Sequence, residues 1–193
     1  MKQIKKKRWS DYLWIVSSTY FILGFFSIAY AWVGLLCLGT ALIVSIAGGG
    51  KIWCNSYCGR GQIFMHVGNT FHLTRRAAPP RWLSSKCFRN TFLAIFLLTF
   101  AEVIYVTVLV AQGLQDMHQT IHLFWTFDVP WNWTYTEAIS PVHAQFAFGL
   151  YGLMLTSLII GIVLTIVYRP RTWCVFCPMG NITQMISKAK AKE

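Results

Sequence analysis

The residues best able to do chemistry in this chain are four cysteines in two short motifs. Cys54 and Cys58 belong to Trp-Cys-Asn-Ser-Tyr-Cys-Gly-Arg-Gly, and Cys174 and Cys177 belong to Trp-Cys-Val-Phe-Cys-Pro-Met-Gly. Each motif follows a long apolar stretch. In each, a Gly or Pro follows the second cysteine, and another Gly comes two residues later. Four thiolates in two close pairs hold either one iron–sulfur cluster or one zinc ion.

The residues around the motifs favour the cluster over zinc. The Gly or Pro after each pair ends a turn, and backbone N–H groups in such a turn point toward cluster sulfides. Lys51, Arg60 and Arg171 are near enough in sequence to offset the negative charge of a thiolate-ligated cluster. Structural zinc usually stabilises small domains that lack a core, and this chain does not need that help. Zinc stays the alternative, and inert cysteines are a third interpretation.

The elements that carry the motifs are predicted to lie in a membrane. Apolar residues make up 55% of the 193-residue chain and charged residues only 12%. Several uncharged runs reach the roughly 20 residues that span a bilayer. The four predicted spans cover residues 12–29, 32–50, 91–112 and 145–168. The first two form a hairpin that turns near Ser27–Trp32. The alternative for residues 12–50, one span plus a re-entrant piece, conflicts with the charge pattern.

Basic residues predict the orientation of these spans. All 17 Lys and Arg lie in Lys2–Arg8, Lys51–Arg89 and Arg169–Lys192, which four spans place on one side. The outer segment, residues 113–144, contains no Lys or Arg. The positive-inside rule therefore predicts a multi-pass protein of the plasma (inner) membrane, with both termini, the loop of residues 51–90 and both cysteine motifs in the cytoplasm.

The net charge of +11 is a signal of this topology and of contact with the lipid bilayer. Nucleic acid is not a predicted partner, because the basic segments are short and lie next to the spans.

The predicted fold is an all-α integral membrane protein with one domain, residues 1–193. It has four transmembrane helices arranged as two hairpins, and each hairpin is followed by a cytoplasmic cysteine motif. Residues Thr74–Arg81 are expected to be an extended linker between the halves. A short amphipathic stretch follows each motif, and we expect these stretches to be helices on the inner membrane surface. Their apolar residues are Ile63, Phe64, Val67 and Phe71 in the first, and Ile182, Met185 and Ile186 in the second.

The motifs Cys-x3-Cys-Gly-Arg-Gly and Cys-x2-Cys-Pro-Met-Gly, each after a Trp and a span, resemble those of the integral-membrane 4Fe-4S binding proteins. That family includes polyferredoxin-like subunits of nitrate- and nitrous-oxide-reduction systems. Its usual pattern is Cys-x3-Cys-Pro with a Gly soon after. The second motif keeps the Pro but is one residue shorter, and the first has Gly59 instead. The resemblance implies that Cys54, Cys58, Cys174 and Cys177 hold the cluster and that electron transfer is the role.

The remaining cysteines and histidines carry weaker expectations. We expect Cys37 to pack as a small apolar residue within the second span, and Cys87 to be an isolated surface thiol. A hypothetical second metal, haem or quinol site uses His118, His122 and His143; the simpler interpretation is that these are polar residues at the membrane interface.

Glu102 is the one charged residue within the predicted spans. An ionisable group at mid-span usually faces the bundle interior or a cavity. We therefore expect Glu102 either to carry protons or to be a protonated packing residue. The aromatic residues of the outer segment indicate an interfacial belt or a docking surface for another subunit.

Together these features predict a membrane electron-transfer protein with one [4Fe-4S] cluster at the cytoplasmic face. Its expected partners are other redox subunits or electron carriers, with a quinone as a further cofactor. No catalytic triad, phosphate-binding loop or paired-carboxylate site is present, so we expect a non-catalytic subunit of an oxidoreductase. The alternative is a zinc-binding membrane scaffold or transporter-like protein.

Overall fold

The computed structural model describes residues 12–49, 53–70, 78–116, 118, 121–123, 127–128 and 139–190. This part of the chain is almost entirely helical, so the predicted all-α class is confirmed. The helices are α1 (Leu13–Phe26), α2 (Ala31–Val44), α3 (Gly59–Thr70), α4 (Lys86–Ala111), α5 (Pro141–Val167), α6 (Trp173–Phe176) and α7 (Pro178–Lys190). Two short antiparallel strands, β1 (His122–Leu123) and β2 (Phe127–Asp128), form a hairpin between α4 and α5.

Three helical segments are long and apolar enough to cross a membrane: Ile28–Ala47, Lys86–Ala111 and Pro141–Val167. They match the second, third and fourth predicted spans. The first predicted span contains α1, which has 14 residues. A helix of that length is about 21 Å long, shorter than the roughly 30 Å hydrocarbon layer. The four-span arrangement therefore stays a prediction.

The chain breaks between α1 and α2 at the position that the sequence indicates. Ser27 has an extended backbone (φ −143°, ψ 122°), and a 3-10 turn at Ile28–Tyr30 leads into α2. Ile28 and Ala31 are buried at this turn, with 2% and 0% of their surface exposed. The turn is therefore anchored by apolar packing and not by a polar cap.

Helix α5 lies at the centre of the bundle, and its glycines allow neighbouring elements to approach. A side chain at Gly149 would meet Val103 of α4, and one at Gly152 would lie 3.2 Å from the backbone oxygen of His122 in β1. Small residues at helix contacts permit this close packing in membrane-type bundles. The buried residues of α5 are Ala144, Gln145, Ala147, Phe148, Leu150, Tyr151, Gly152, Met154, Leu155, Ser157, Gly161 and Thr165.

The helix after each cysteine motif packs against a long helix of the other half. In α3, Phe64 is completely buried and its ring occupies the space beside Gly161 of α5. In α7, the carbonyl of Thr183 accepts a 3.0 Å hydrogen bond from the hydroxyl of Ser45, just after α2. The helices α3 and α7 thus each contact both halves of the chain and connect them.

The predicted surface helices differ from what the structure contains. Ile63 and Phe64 of α3 are buried within the protein, so α3 is a packed helix of the bundle. In α7 the buried side chains include the polar Asn181 and Thr183, whereas Met185 is 56% exposed. Ile182 and Ile186 of the predicted apolar face are half-buried, and the location of α7 on the membrane surface stays a prediction. Hydrogen bonds to neighbouring helices, which periodicity cannot anticipate, determine which side of α7 is buried.

The predicted linker lies partly outside the described residues, which resume at residue 78. Pro80 leads into a 3-10 turn over Arg81–Ser84, and Ser85 then caps α4 by accepting a 3.2 Å hydrogen bond from the backbone N–H of Phe88. This cap satisfies one of the free N–H groups at the start of the helix.

Candidate metal centre

The first cysteine motif forms a single wide turn. The backbone N–H of Cys58 donates to the carbonyl of Trp53 at 2.9 Å, a bond that spans five residues. Residues Trp53–Tyr57 accordingly adopt π-helical geometry. The carbonyl of Cys58 then accepts from the N–H of Gln62 at 3.1 Å, which begins α3. Cys58 therefore closes the turn and stands immediately before a helix.

The second motif makes the same connections with one residue fewer. The backbone N–H of Cys177 donates to the carbonyl of Trp173 at 2.9 Å, a bond that spans four residues, as in an α-helix. The carbonyl of Cys177 accepts from the N–H of Asn181 at 2.9 Å and begins α7. In both motifs, then, the turn begins at a Trp, and the backbone N–H of the second cysteine donates the hydrogen bond that closes the turn.

The two motifs meet at Gly61. A methyl group added at Gly61 would lie 3.8 Å from Cβ of Cys58 in its own motif. It would also lie 3.9 Å from both Sγ of Cys174 and Nε of Arg171 in the other motif. Gly61 thus borders the space between the motifs, and a side chain at this position would enter it.

Cys54, the remaining motif cysteine, faces the second half of the chain. Its sulfur lies 4.0 Å from the hydroxyl oxygen of Thr183 in α7. The structure therefore brings all four motif cysteines to the same end of the bundle, between α3, α6 and α7.

Burial keeps the thiols of the second motif protonated. It raises the pKa of Cys174 to about 12, with smaller contributions in the same direction from Cys177 and Cys58. Burial also raises the pKa of Cys177, although Arg60 and the backbone N–H groups of Gly180 and Met179 partly counter this effect. Those N–H groups belong to the first turn of α7 and point toward the Cys177 sulfur. Such a position stabilises a thiolate once its proton has left.

Two arginines flank the cysteines. Arg60 donates a hydrogen bond from Nη1 to the hydroxyl of Ser157 in α5, and its charge interacts with Cys58 and Cys177. Arg171 has a left-handed backbone with φ of 67°, which is costly for a residue with a side chain. Its Nε is buried and has no hydrogen-bond partner among the described residues. An orphaned buried donor beside thiols marks a place where an acceptor belongs.

Among the described residues, no Asp or Glu lies near the arginines in the sequence. The chain has no Asp or Glu in residues 12–101 or in residues 138–192. The groups that could compensate Arg60 and Arg171 within these stretches are therefore the thiols themselves, once they are ionised. Two cations around four thiols form an environment that favours a bound group with net negative charge.

These residues fit a [4Fe-4S] cluster. A cluster takes four cysteine thiolates, bears negative charge when so ligated, and accepts hydrogen bonds at its sulfides. The orphaned Nε of Arg171 is a donor of that kind, and it borders Gly61 together with Sγ of Cys174. Zinc would take the same four thiolates and stays the alternative.

An aromatic cluster covers one side of the second motif. Trp173 and Phe176 are 4% and 3% exposed. Phe88 and Phe92 of α4 pack edge-on against them, with ring centroids 5.2 to 5.6 Å apart. This apolar wall keeps water from that side, and solvent exposure is one of the factors that set the potential of an iron–sulfur cluster.

The other two cysteines stand apart from this cluster of thiols. Cys37 lies within the candidate span Ile28–Ala47, as predicted, and is exposed on α2. Cys87 is exposed in the first turn of α4, as expected of a surface thiol.

The outer histidines have separate local partners. His118 contacts the carbonyl of Asp116 through Nδ1, at 3.1 Å, and its backbone N–H donates to the side chain of Gln145. His143 hydrogen-bonds through Nδ1 to the hydroxyl of Ser140, and His122 lies in β1. The described geometry does not gather the three rings into one site, and their use as ligands stays a prediction.

Glu102 does not face the bundle interior. It is exposed on α4, and it makes no hydrogen bond or ion pair to any described residue. The expectation that this acid points inward or into a cavity is therefore wrong, because α4 turns this face away from α5.

A polar contact that the motifs do not predict holds the second motif in place. Arg89 of α4 donates to the side chains of Asn181 at 2.8 Å and Gln184 at 2.6 Å. Asn181 is the residue whose N–H bonds to Cys177, so this contact holds the start of α7 in place. Its signal in the sequence is an amide four residues after the second cysteine, which also occurs in the first motif as Gln62.

A family described as a 4Fe-4S binding domain matches the chain at residues 30–65 and 151–193. The first region contains α2, the first motif and the start of α3; the second contains most of α5, the second motif and α7. The resemblance to a 4Fe-4S binding family that the motifs indicate is therefore confirmed over these two regions. No curated protein and no solved structure matches the chain.

Proposed function

We propose that the chain is a membrane electron-transfer protein that holds one [4Fe-4S] cluster on Cys54, Cys58, Cys174 and Cys177. The observation that carries the proposal is the meeting of two 4Fe-4S family motifs at one end of the bundle, beside Arg60 and Arg171. Such a cluster, when bound, accepts and releases single electrons. The chain's own residues supply ligands, positive charge and an apolar cover.

The two arginines have distinct roles in this proposal. Arg60 provides fixed positive charge, which favours the more negative, reduced form of the cluster and so raises its reduction potential. Arg171 provides an N–H that awaits an acceptor, and hydrogen bonds to cluster sulfur also raise the potential. The strained backbone of Arg171 is the cost of directing its side chain into the site.

The proposed membrane arrangement has four spans, with α1 as the first. Support comes from how α1 and α2 lie along α5. Tyr20 of α1 and Gly34 of α2 both approach Met154, so the two helices lie side by side at the same depth as the middle of α5. With three candidate spans beside it, α1 would cross most of the same layer. Charge then supports a cytoplasmic location for both termini and both motifs.

A quinone is proposed as the carrier that would extend electron transfer from the cluster into the membrane. The cavity beside the cysteines has a mainly apolar lining that includes Arg60, Ser157 and Cys177, but its volume of about 30 Å³ is too small for a quinone head group. This cavity therefore does not supply the quinone site.

One cluster at one face cannot carry electrons across a hydrocarbon core about 30 Å thick. The chain is therefore proposed to work with other redox subunits or carriers. A zinc-binding scaffold is the weaker candidate, because the family model that matches both motifs describes a 4Fe-4S binding domain.

The direct test is anaerobic purification of the full chain in mild detergent. We expect about four iron and four sulfide per chain, broad absorbance near 400 nm that bleaches on reduction, and an electron paramagnetic resonance signal in the reduced state. Stoichiometric zinc without iron would refute the cluster and support the scaffold.

Orientation needs a separate measurement. Reporter fusions in live cells should place positions near Lys5, Arg76 and Lys190 in the cytoplasm and Asp128 outside. A cytoplasmic Asp128 would overturn the four-span arrangement but would leave the cluster proposal intact.

A further inference from the structure

Helix α4 presents a nearly unpartnered face. Only 6% of its most apolar window is buried, against 44% for α5, although the two helices are equally apolar. Lipid tails can cover exposed apolar side chains. They cannot satisfy a carboxyl group, and this face carries Glu102 near its centre.

The exposed residues of this face follow the spacing of a helix-pairing seam. They recur at alternating intervals of four and three residues, the pattern by which one helix packs along another. All are exposed: Thr91, Ile95, Leu98, Glu102 and Tyr105. Exposed alanines at positions 94 and 101 flank the seam and allow a second helix to come close.

Glu102 is the unsatisfied polar group of this seam. The hydroxyl groups of Thr99 and Thr107, its polar neighbours on α4, donate to carbonyls of their own helix at 2.9 and 2.7 Å. Glu102 has no such bond to any described residue. A carboxyl group facing hydrocarbon is costly and is normally paired with another polar group. A single polar residue in a seam also fixes which helix pairs with it and in what register.

We propose that this seam, Thr91 to Tyr105, binds a transmembrane helix of a different subunit that carries a basic or amide side chain at the depth of Glu102. The inference rests on the proposed membrane arrangement and identifies the surface through which the chain joins a complex. Charge complementarity selects the partner: this chain has no Lys or Arg in residues 9–50 or 90–168. A second copy would bring only another carboxyl group to that depth.

The first experiment is photocrosslinking in the native host's membranes, with benzoylphenylalanine in place of Leu98. The matched control is the same residue in place of Leu36 on α2, since the two leucines are 70% and 69% exposed. We expect position 98 alone to crosslink to another protein. Mass spectrometry should place the crosslink in an apolar segment containing Lys, Arg, His, Asn or Gln. Crosslinks from position 98 to lipid alone, or to a second copy alone, would overturn the proposal.

The second experiment removes the acid. Glu102→Leu should lower the crosslink yield about tenfold or more, because the polar group of the other subunit loses its hydrogen-bonding partner in the membrane. Glu102→Gln should have a smaller effect. The control Ile104→Leu, at a neighbouring exposed position, should leave the yield unchanged. Replacing the partner's basic or amide residue with Leu should restore binding to Glu102→Leu. An unchanged yield with Glu102→Leu would contradict the proposal.

Iron content, measured on the same preparations, separates this inference from the cluster proposal. We expect Glu102→Leu and Glu102→Gln to keep wild-type iron. A wild-type protein that crosslinks but contains no iron would refute the cluster proposal and support the seam. A wild-type protein that contains iron but does not crosslink would support the cluster and refute the seam. If Glu102→Leu also lost its iron, the crosslink yield of Glu102→Gln, which preserves the shape of the side chain, would decide whether the seam needs the carboxyl group.

Discussion

The two cysteine motifs differ by one residue, yet the backbone closes them in equivalent ways. In the first, Cys58 bonds back five residues to Trp53; in the second, Cys177 bonds back four residues to Trp173. A π turn absorbs the additional residue that an α turn cannot hold. Both second cysteines then stand directly before a helix. The comparison shows that the equivalence of the motifs lies in their hydrogen bonds and not in cysteine spacing.

The residue after the second cysteine differs for a reason that lies outside the motif. Pro178 begins α7, where proline is favoured because its missing N–H has no partner in a first turn. At the corresponding Gly59, any side chain would collide with the hydroxyl of Ser17 in α1. The first half thus departs from the Cys-Pro pattern because α1 packs directly against the start of α3.

The largest expected effect comes from the ligands themselves. Replacing any of Cys54, Cys58, Cys174 or Cys177 with Ser should remove most of the iron and destabilise the chain, because the cluster connects the two halves. Iron analysis and absorbance near 400 nm measure this effect. Cys37→Ser and Cys87→Ser are the controls and should keep wild-type iron. If variants of one motif lost iron and those of the other did not, the motifs would not share one cluster.

Turn length gives the next largest effect. Deleting Asn55 makes the first motif as long as the second, but it forces the π turn to become an α turn and rotates Cys54 by about 100° relative to Cys58. We expect iron content to fall at least several-fold while the helical signal in circular dichroism persists. Retention of full iron would mean that cluster binding does not require the π turn.

We expect the stability of the fold to require Gly59, because α1 packs against it. Gly59→Ala should lower stability by about 1–3 kcal/mol, the usual cost of overpacking, since its methyl group meets Ser17. Combining it with Ser17→Gly should recover much of the loss. Thermal unfolding in detergent of the wild type, the two single variants and the double variant gives a double-mutant cycle. Additive effects of the two substitutions would argue against this contact.

The arginines should change the potential without removing the cluster. Arg60→Gln and Arg171→Gln should each lower the midpoint potential, because each removes charge or a donor that favours the reduced form. A loss of about 1 kcal/mol corresponds to about 40 mV for one electron. A redox titration followed by paramagnetic resonance measures the shift. An unchanged potential in both variants would show that neither side chain senses the cluster.

The smallest effect is on pH dependence in protein without the cluster. The Cys174 thiol has a pKa of about 12 when folded, against 9.0 as the ordinary value. Between these values the unfolded chain has lost this proton and the folded chain keeps it, so folded stability falls as pH rises above about 9. The slope from one such thiol is at most about 1.4 kcal/mol per pH unit.

This pH effect can be measured as the melting temperature from pH 8 to 10. Cys174→Ala should remove it, and so should bound cluster, since a ligated thiol has no proton to lose. A melting temperature that rises over this range would contradict the assignment.

The sequence alone determined the chemistry and the helices. Four cysteines in paired motifs, with arginines nearby, favoured a cluster over zinc, and long apolar runs predicted the three helices of membrane-spanning length, because ligand type and hydrophobicity are local properties. Only the tertiary structure decided how the motifs meet. The contact at Gly61, the clash that excludes a side chain at Gly59 and the outward position of Glu102 depend on residues distant in the chain, and no periodicity encodes them.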